Sequence, residues 1–384
     1  MSKPDVIVVG AGVLGAWTAF HFQQRGARTQ LVDAWEPGHP RATSSDESRV
    51  TRCGYGTRRL YTRWAWEALA QWKHWQQQWG VQLFHCLGVL WMHTEENEYT
   101  TASVAALREE KIPVEQVSMD ELARRFPQIS PEGISVAYYE PEGGALSARL
   151  AVQTVVNQFV QSGGLFQLAR VEPVNGKGEN LRQIRLADGT SLSAASYVFA
   201  CGPWLPQLFP KVVGDLIRVT RQEVFYFGAP PGETRFNAGE FPVWLSGSFY
   251  GIPALAGRGV KICEDEVGPP FEPTSGDRVV SVEGLRRVRD YLALRFPALK
   301  DAPVVESRVC QYESTPDANL LIDRHPEFRN LWLVGGGSGH SFKLGPKVGS
   351  VVAAAVLGEP SAIPPELGLR PRTATAVDKP TLAG

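Results

Sequence analysis

The stretch that most constrains this chain is its opening. Residues 5–9 are Asp-Val-Ile-Val-Val, a β-branched run of the kind that forms a buried parallel strand. Gly10-Ala-Gly-Val-Leu-Gly15 follows. Residues 13–24 then read as a helix with Gly26 as its stop, and residues 29–32 as a second strand ending at Asp33. This is a βαβ unit. Within the GxGxxG pattern, Gly10 permits a tight turn, Gly12 lets the backbone approach a pyrophosphate, and Gly15 lets helix and strand pack closely. The helix N-terminus presents N–H groups and a positive dipole end to phosphates. Asp33 stands at the spacing of a ribose-binding acid. A turn beside a surface aspartate would use the same glycines, but strand, helix and acid together define a dinucleotide site.

The rest of the chain is too long for one small domain. Its 384 residues suit two interleaved ones. Residues 61–79 read as a helix ended by Gly80, carrying Trp64, Trp66, Trp72, Trp75 and Trp79 on a packed aromatic face. Strands and helices alternate over 81–136, with a short helix at 119–126 capped by Ser118 or Asp120. Ser147 is placed to cap a helix over 148–161. Residues 165–171 read as a strand, 186–190 as a hairpin turn, and 195–200 as a buried strand running into Cys201-Gly-Pro-Trp204. Residues 218–267 are mostly strands, 279–296 helical, 331–334 a last buried strand and 346–357 a last helix. We expect one domain at 1–80, 145–215 and 305–365, a strand-rich one at 81–144 and 216–304, and a tail at 366–384. From 371 that tail reads as surface-draped or disordered.

Composition excludes several classes. The formal net charge of −1 implies no polyanion-binding surface, so no nucleic-acid partner is expected. No segment is apolar enough to span a bilayer, and the N-terminus lacks a signal-peptide pattern. The five cysteines form no CxxC pair, which argues against a disulfide framework or a metal site and for a reducing cytoplasm.

The fingerprint alone does not separate FAD from NAD. After Asp33 comes a polar loop over 38–49 with no further strand, where a nicotinamide enzyme usually completes a contiguous half-domain; this favours FAD. Arg49 and Arg52 lie three apart and would share a face on a helical turn, where paired guanidinium groups fix a carboxylate or an anionic ring. A basic surface turn would look the same. Lys261 sits among apolar and small residues in Gly257-Arg-Gly-Val-Lys-Ile-Cys263, as a half-buried neutral base or fixed positive charge, or as a lysine on a strand's solvent face. Cys310, in Arg308-Val-Cys-Gln-Tyr-Glu-Ser-Thr-Pro-Asp317, is a potential tether for a flavin, although a lone cysteine is usually a small buried hydrophobe. The glycine-rich run Val334-Gly-Gly-Gly-Ser-Gly-His-Ser-Phe-Lys343 precedes a helix and offers N–H groups to developing negative charge.

Together these motifs resemble the monomeric sarcosine oxidase and N-methyltryptophan oxidase family, within the D-amino-acid-oxidase-like superfamily. The match runs in order through the motifs above, with Phe249-Tyr-Gly-Ile-Pro253 between them. The resemblance implies an α/β fold: an FAD-binding, Rossmann-like domain of the glutathione-reductase type with an inserted α+β substrate domain. It implies an oxidase of a secondary amino acid that yields an imine and hydrogen peroxide, acts on a small amine with molecular oxygen, and is a monomer. Cys310 matches the cysteine that forms a thioether to the flavin, and Lys261 the lysine that promotes reaction with oxygen. Arg52 and Lys343 match the pair that holds the substrate carboxylate, and Arg49 an arginine near the ring. Tyr250 and Tyr312 match walls of the substrate cavity.

Cofactor contacts are expected from Gly10, Gly12, Val13, Leu14, Gly15, Asp33 and Ala34, then from Ser44, Ser45 and Arg49. The backbone around Val171 matches an adenine-side contact, and Cys201, Gly202 and Trp204 are further expected contacts. Cys310, Gly337, Gly339, His340, Ser341, Phe342 and Lys343 complete the set. Three positions depart from the pattern: a histidine pair reads Ser44-Ser45, and single histidines read Cys53 and Asp265. Acids at 264 and 265 would favour a substrate with a second amine. Two alternatives stand beside this reading: a dehydrogenase of an amine or 2-hydroxy acid with another acceptor, and a flavin-binding protein without turnover.

Overall fold

A computed structural model describes residues 3–360 and 363–373. The opening unit forms as its sequence dictates. Strand β1 (Val6–Val9) is buried throughout, helix α1 spans Val13–Gln24, and strand β2 spans Thr29–Asp33. Gly26 follows the helix in the left-handed region at φ 79°.

Strands β1 and β2 sit inside a six-stranded sheet. Its order is Leu321–Arg324, Leu331–Gly335, Ser196–Phe199, β1, β2, Leu165–Leu168. Every neighbour pair is parallel except that of Leu321–Arg324 with Leu331–Gly335. The strand expected over 165–171 stops at Leu168, and Val171 makes only an isolated bridge to Leu186.

The loop after β2 differs from expectation. It contains a short 3-10 turn at Thr43–Ser45 and then strand β3 (Ser48–Thr51), antiparallel to Gly144–Ser147 in a separate three-stranded sheet. Arg49 is therefore on a strand, not on a helical turn. Helix α2 (Arg59–Trp79) ends at Gly80 in the left-handed conformation. Its tryptophans pack as an aromatic face: Trp72 lies 5.1 Å and Trp79 5.6 Å from Trp17 of α1. Trp72 Nε1 also donates to the Lys343 carbonyl at 2.8 Å, which ties α2 to the glycine-rich loop. Ser147 precedes the helix Ala148–Gln161 but makes no side-chain cap; its hydroxyl pairs with His85 Nε2 at 2.9 Å.

The second large sheet has eight strands. Next to one edge, Arg218–Phe227 runs antiparallel to the edge strand Val304–Ser314 on one side and to Val260–Glu264 on the other. Strand periodicity splits its residues cleanly. Phe225, Phe227, Val260 and Ile262 point to one face and join an apolar core. Direct partners Tyr226 with Lys261, Tyr250 with Cys263, and Gln222 with Cys310 share the other face. Tyr312, two residues beyond Cys310, joins them. Beyond the last helix, Arg372 is held by the carbonyls of Asn319 at 2.9 Å and Leu320 at 3.1 Å and by the Asp317 carboxylate at 3.2 Å. The start of the tail is thus anchored, and the residues from 374 lie outside those described.

Candidate active site

A cleft of about 400 Å³ opens at the carboxyl ends of the parallel strands, where open α/β sheets place their ligands. Val9 and Gly10 at the end of β1, Asp33 and Ala34 at the end of β2, Cys201 and Gly202 after Ser196–Phe199, and Gly337 after Leu331–Gly335 line it. Gly12, Val13, Leu14, Ser44, Arg49, Val171, Trp204, Gly339, Ser341 and Phe342 line it too. The glycines make the cradle possible. Gly10 has φ 104°, and a Cβ there would run into the backbone of Ala200. Gly15 lies behind the cleft, where a Cβ would strike the Gly10 carbonyl oxygen. The Asp33 carboxylate accepts from the Ala11 and Trp35 N–H groups, and burial raises its pKa. This glycine-floored cleft on a helix N-terminus, ending in an acid, fits an extended dinucleotide such as FAD.

Ser45, Cys310, His340 and Lys343 do not line the cleft. Ser45 turns its hydroxyl to the Pro40 carbonyl at 3.2 Å. The Cys310 sulfur lies 3.7 Å from Arg49 Nη2, beside a residue that does line it.

A small pocket of about 50 Å³ adjoins the cleft and shares Arg49, Tyr312, Gly339 and Phe342 with it. Arg52, Tyr250, Asp265, His340 and Lys343 complete most of its wall. In a strand, residues three apart point to opposite faces. Arg52 reaches the same pocket as Arg49 because the chain leaves β3 at Thr51. Its guanidinium is 4.9 Å from the ring centres of both Tyr55 and Trp91 and donates to the Gly54 carbonyl. Lys343 Nζ donates to Tyr55 Oη at 2.9 Å. Burial, and then the Arg52 charge, push the Lys343 pKa well below its ordinary value. Of the two acids beyond Lys261, only Asp265 faces this pocket, accepting from Tyr312 Oη at 2.8 Å. Glu264 pairs outward with Arg287 at 2.7 Å.

Lys261 is 1% exposed, so it is not on a solvent face, and it lines neither cavity. Its ammonium is bonded to the Asp46 carboxylate and, at 2.7 Å, to the Ser48 carbonyl.

Sequence reasoning passed over several residues here. Asp46 was lost in a polar loop; a lysine buried among apolar neighbours was the signal that a carboxylate partner had to exist. Glu140, 2% exposed, accepts from the Cys53 and Gly54 N–H groups at 2.7 and 3.3 Å and from Trp91 Nε1 at 3.0 Å, fixing the turn that carries Arg52. Glu313 lines the cleft, and burial pushes its pKa up to about 7.

The fold and the cleft define an FAD-dependent oxidoreductase. Residues 5–355 match the family described as "DAO: FAD dependent oxidoreductase", and the chain belongs to it. It is 30% identical to the peroxisomal sarcosine oxidase of Homo sapiens over 358 residues, covering 91% of this chain and 90% of that one. It is 28% identical to the monomeric sarcosine oxidase of Bacillus sp. (strain B-0618), covering 91% of each. A modified fructosyl peptide oxidase from Aspergillus nidulans shares the fold at TM-score 0.84 and 20% identity, over 98% of this chain and 95% of that one.

Proposed function

We propose that this protein oxidises a secondary amino acid, N-methylated or cyclic, to an imine, with molecular oxygen as acceptor and hydrogen peroxide as co-product. The observation that carries this reading is the small pocket beside the cleft, where Arg52 and Lys343 bring two buried basic side chains together. A carboxylate is the group that such a pair accepts. The sarcosine oxidases to which the chain is similar, and its resemblance to N-methyltryptophan oxidases, support an N-alkyl amino acid as substrate.

Bound FAD supplies a two-electron acceptor for hydride equivalents leaving the carbon beside the substrate nitrogen. The chain does the rest. Arg52 and Lys343 hold the carboxylate, so the amine end lies between Tyr250, Tyr312 and the shared wall of the cleft. Arg49, Arg52 and Lys343 disfavour a further cation in the pocket, so the amine binds as the free base. The nitrogen lone pair then assists departure of the hydride equivalent, and the imine hydrolyses after release. Asp265 is the one acid among these pocket residues, which suits a substrate bearing a second amine. Two electrons and two protons delivered to oxygen give hydrogen peroxide. A single subunit in the cytoplasm suffices for this chemistry.

The test is anaerobic mixing of the holoprotein with N-methyl and cyclic amino acids while the flavin absorbance is followed. Bleaching by at least one of them, and peroxide on readmitting air, are expected. No bleaching by any amino acid, with bleaching by 2-hydroxy acids, would establish the alternative substrate class. A second prediction concerns the tether. Acid precipitation of the wild-type protein is expected to leave a yellow pellet, and Cys310→Ser a colourless pellet under a yellow supernatant. Equal colour in both supernatants would remove Cys310 from the role.

A further inference from the structure

Asp46 belongs to no motif picked out in the sequence, yet it is 3% exposed and saturated with donors. Its Oδ2 takes the Lys261 ammonium and, at 2.5 Å, Arg49 Nη1. Its Oδ1 takes the Tyr226 hydroxyl at 2.6 Å and the Glu47 N–H at 2.7 Å. Arg308 stands 4.0 Å away. Burial alone would raise the pKa of this carboxyl, but Lys261, Arg49 and the bonds it accepts hold it well below the usual range. It is an anion at any working pH.

Two of those partners stand at the end of the cleft that meets the small pocket, the end the proposed function gives to the flavin ring. Arg49 lines both the cleft and the small pocket. Lys261 shares its sheet face with Tyr250, Cys310 and Tyr312. Positive charge at that end would stabilise electrons added to a flavin and draw oxygen's first electron across. One carboxylate bonded to both cations cancels one of their two charges. It also holds the ammonium on Asp46 and Ser48, away from either cavity.

We propose that Asp46 is a positioning residue that sets the electrostatic potential at the flavin ring and restrains the reaction of the reduced protein with oxygen. The inference rests on the cleft being the FAD site and on Lys261 facing its ring end, and it does not depend on which amine is oxidised.

The experiment therefore avoids the amine. Holoprotein is reduced photochemically without air and mixed with aerated buffer, and its midpoint potential is measured against a reference dye. Asp46→Asn is expected to reoxidise at least tenfold faster than wild type. Its two-electron potential is expected to move positive by ~30 mV or more, the equivalent of a tenfold change in equilibrium. Lys261→Met is expected to slow reoxidation less than about threefold in the wild-type background and at least tenfold in the Asp46→Asn background. An Asp46→Asn holoprotein with unchanged or slower reoxidation and unchanged potential would overturn the proposal. So would equal effects of Lys261→Met in both backgrounds. Melting curves of the apoproteins report any purely structural loss, which by itself moves neither potential nor rate. Should Asp46→Asn fail to fold, Lys261→Met alone decides: a hundredfold fall in the oxygen rate would show that the charge was never cancelled. Failure of every amine to bleach the flavin would sink the substrate reading and leave this test intact.

Discussion

Lys343→Met is expected to lower kcat/KM for the amino-acid substrate by about a thousandfold while raising the melting temperature of the apoprotein. Both effects come from one fact: Lys343 is 5% exposed and sits beside Arg52, another buried cation. Truncating one partner of a buried charge pair costs ~2–5 kcal/mol, and ~4 kcal/mol is about a thousandfold. Without substrate the same ammonium hydrogen-bonds the Tyr55 hydroxyl at 2.9 Å, and the more distant charges of Glu140 and Asp265 do not offset its burial beside Arg52. Methionine fills similar volume without carrying charge into the interior, an exchange that is often stabilising. The pH dependence follows with a definite sign. Because the folded pKa lies below 10.5, the unfolded chain binds more protons between the two values, and stability rises with pH in that window. Lys343→Met removes that slope. In turnover, kcat/KM rises as the amine loses its proton and falls as Lys343 loses its own, and the variant keeps only the rising limb. A variant with wild-type kcat/KM for the amino acid would take Lys343 out of the carboxylate site.

Arg52 is the contrasting half of the pair. It stands between Tyr55 and Trp91 on a turn fixed by Glu140. Removing it strips packing as well as charge. Arg52→Ala is therefore expected to lose a comparable amount of kcat/KM and, unlike the lysine variant, to lower the melting temperature.

These contrasts mark what the residues could and could not announce. Local signals sufficed wherever the cause was local. The βαβ unit follows from β-branched runs, three glycines and a helix stop within one short stretch, and the structure returns helix α1 at the expected residues. The tryptophan helix, its glycine stop and the hairpin at 186–190 are of the same kind. Arg49 failed because its neighbours carry no helical or strand period; pairing with Gly144–Ser147, far along the chain, makes it a strand. Asp46 failed for a related reason. Its meaning lies in Lys261, 215 positions away, and only the packing of the loop before β3 against the large sheet brings the two together. The resemblance to known oxidases placed Lys343, Arg52 and Tyr312 around one pocket, but it carried no hint of Asp46. A buried charge pair is specified by two distant residues at once, so neither position alone has a pattern to read.

Gly15→Ala is expected to yield protein almost free of flavin, and the reason can be separated from the cofactor itself. A Cβ at Gly15 would fall on the carbonyl oxygen of Gly10, with the Gly10 carbonyl carbon and Ala200 close behind. Backbone cannot swing aside as a side chain can, so α1 and the first glycine turn must separate. Because that turn forms the floor of the cleft, the damage precedes any ligand. The apoprotein should melt lower than wild type, and flavin affinity should fall by at least about a thousandfold, beyond what one lost contact explains. Gly12→Ala provides the comparison. Its φ is −68°, which alanine adopts freely, and its Cβ would meet only the Ser44 hydroxyl at 3.3 Å. That hydroxyl accepts the Val13 N–H at 3.0 Å and need give only by a few tenths of an ångström, within reach of its rotatable bond. Gly12→Ala should therefore leave the apoprotein melting temperature close to wild type and weaken flavin binding alone, because the missing side chain at that position serves the pyrophosphate and not the fold. Flavin-to-protein absorbance ratios and apoprotein melting curves of the two variants decide the matter. If both variants lose stability equally, the glycines serve one structural purpose. If Gly12→Ala retains full flavin affinity, the pyrophosphate does not approach the backbone there.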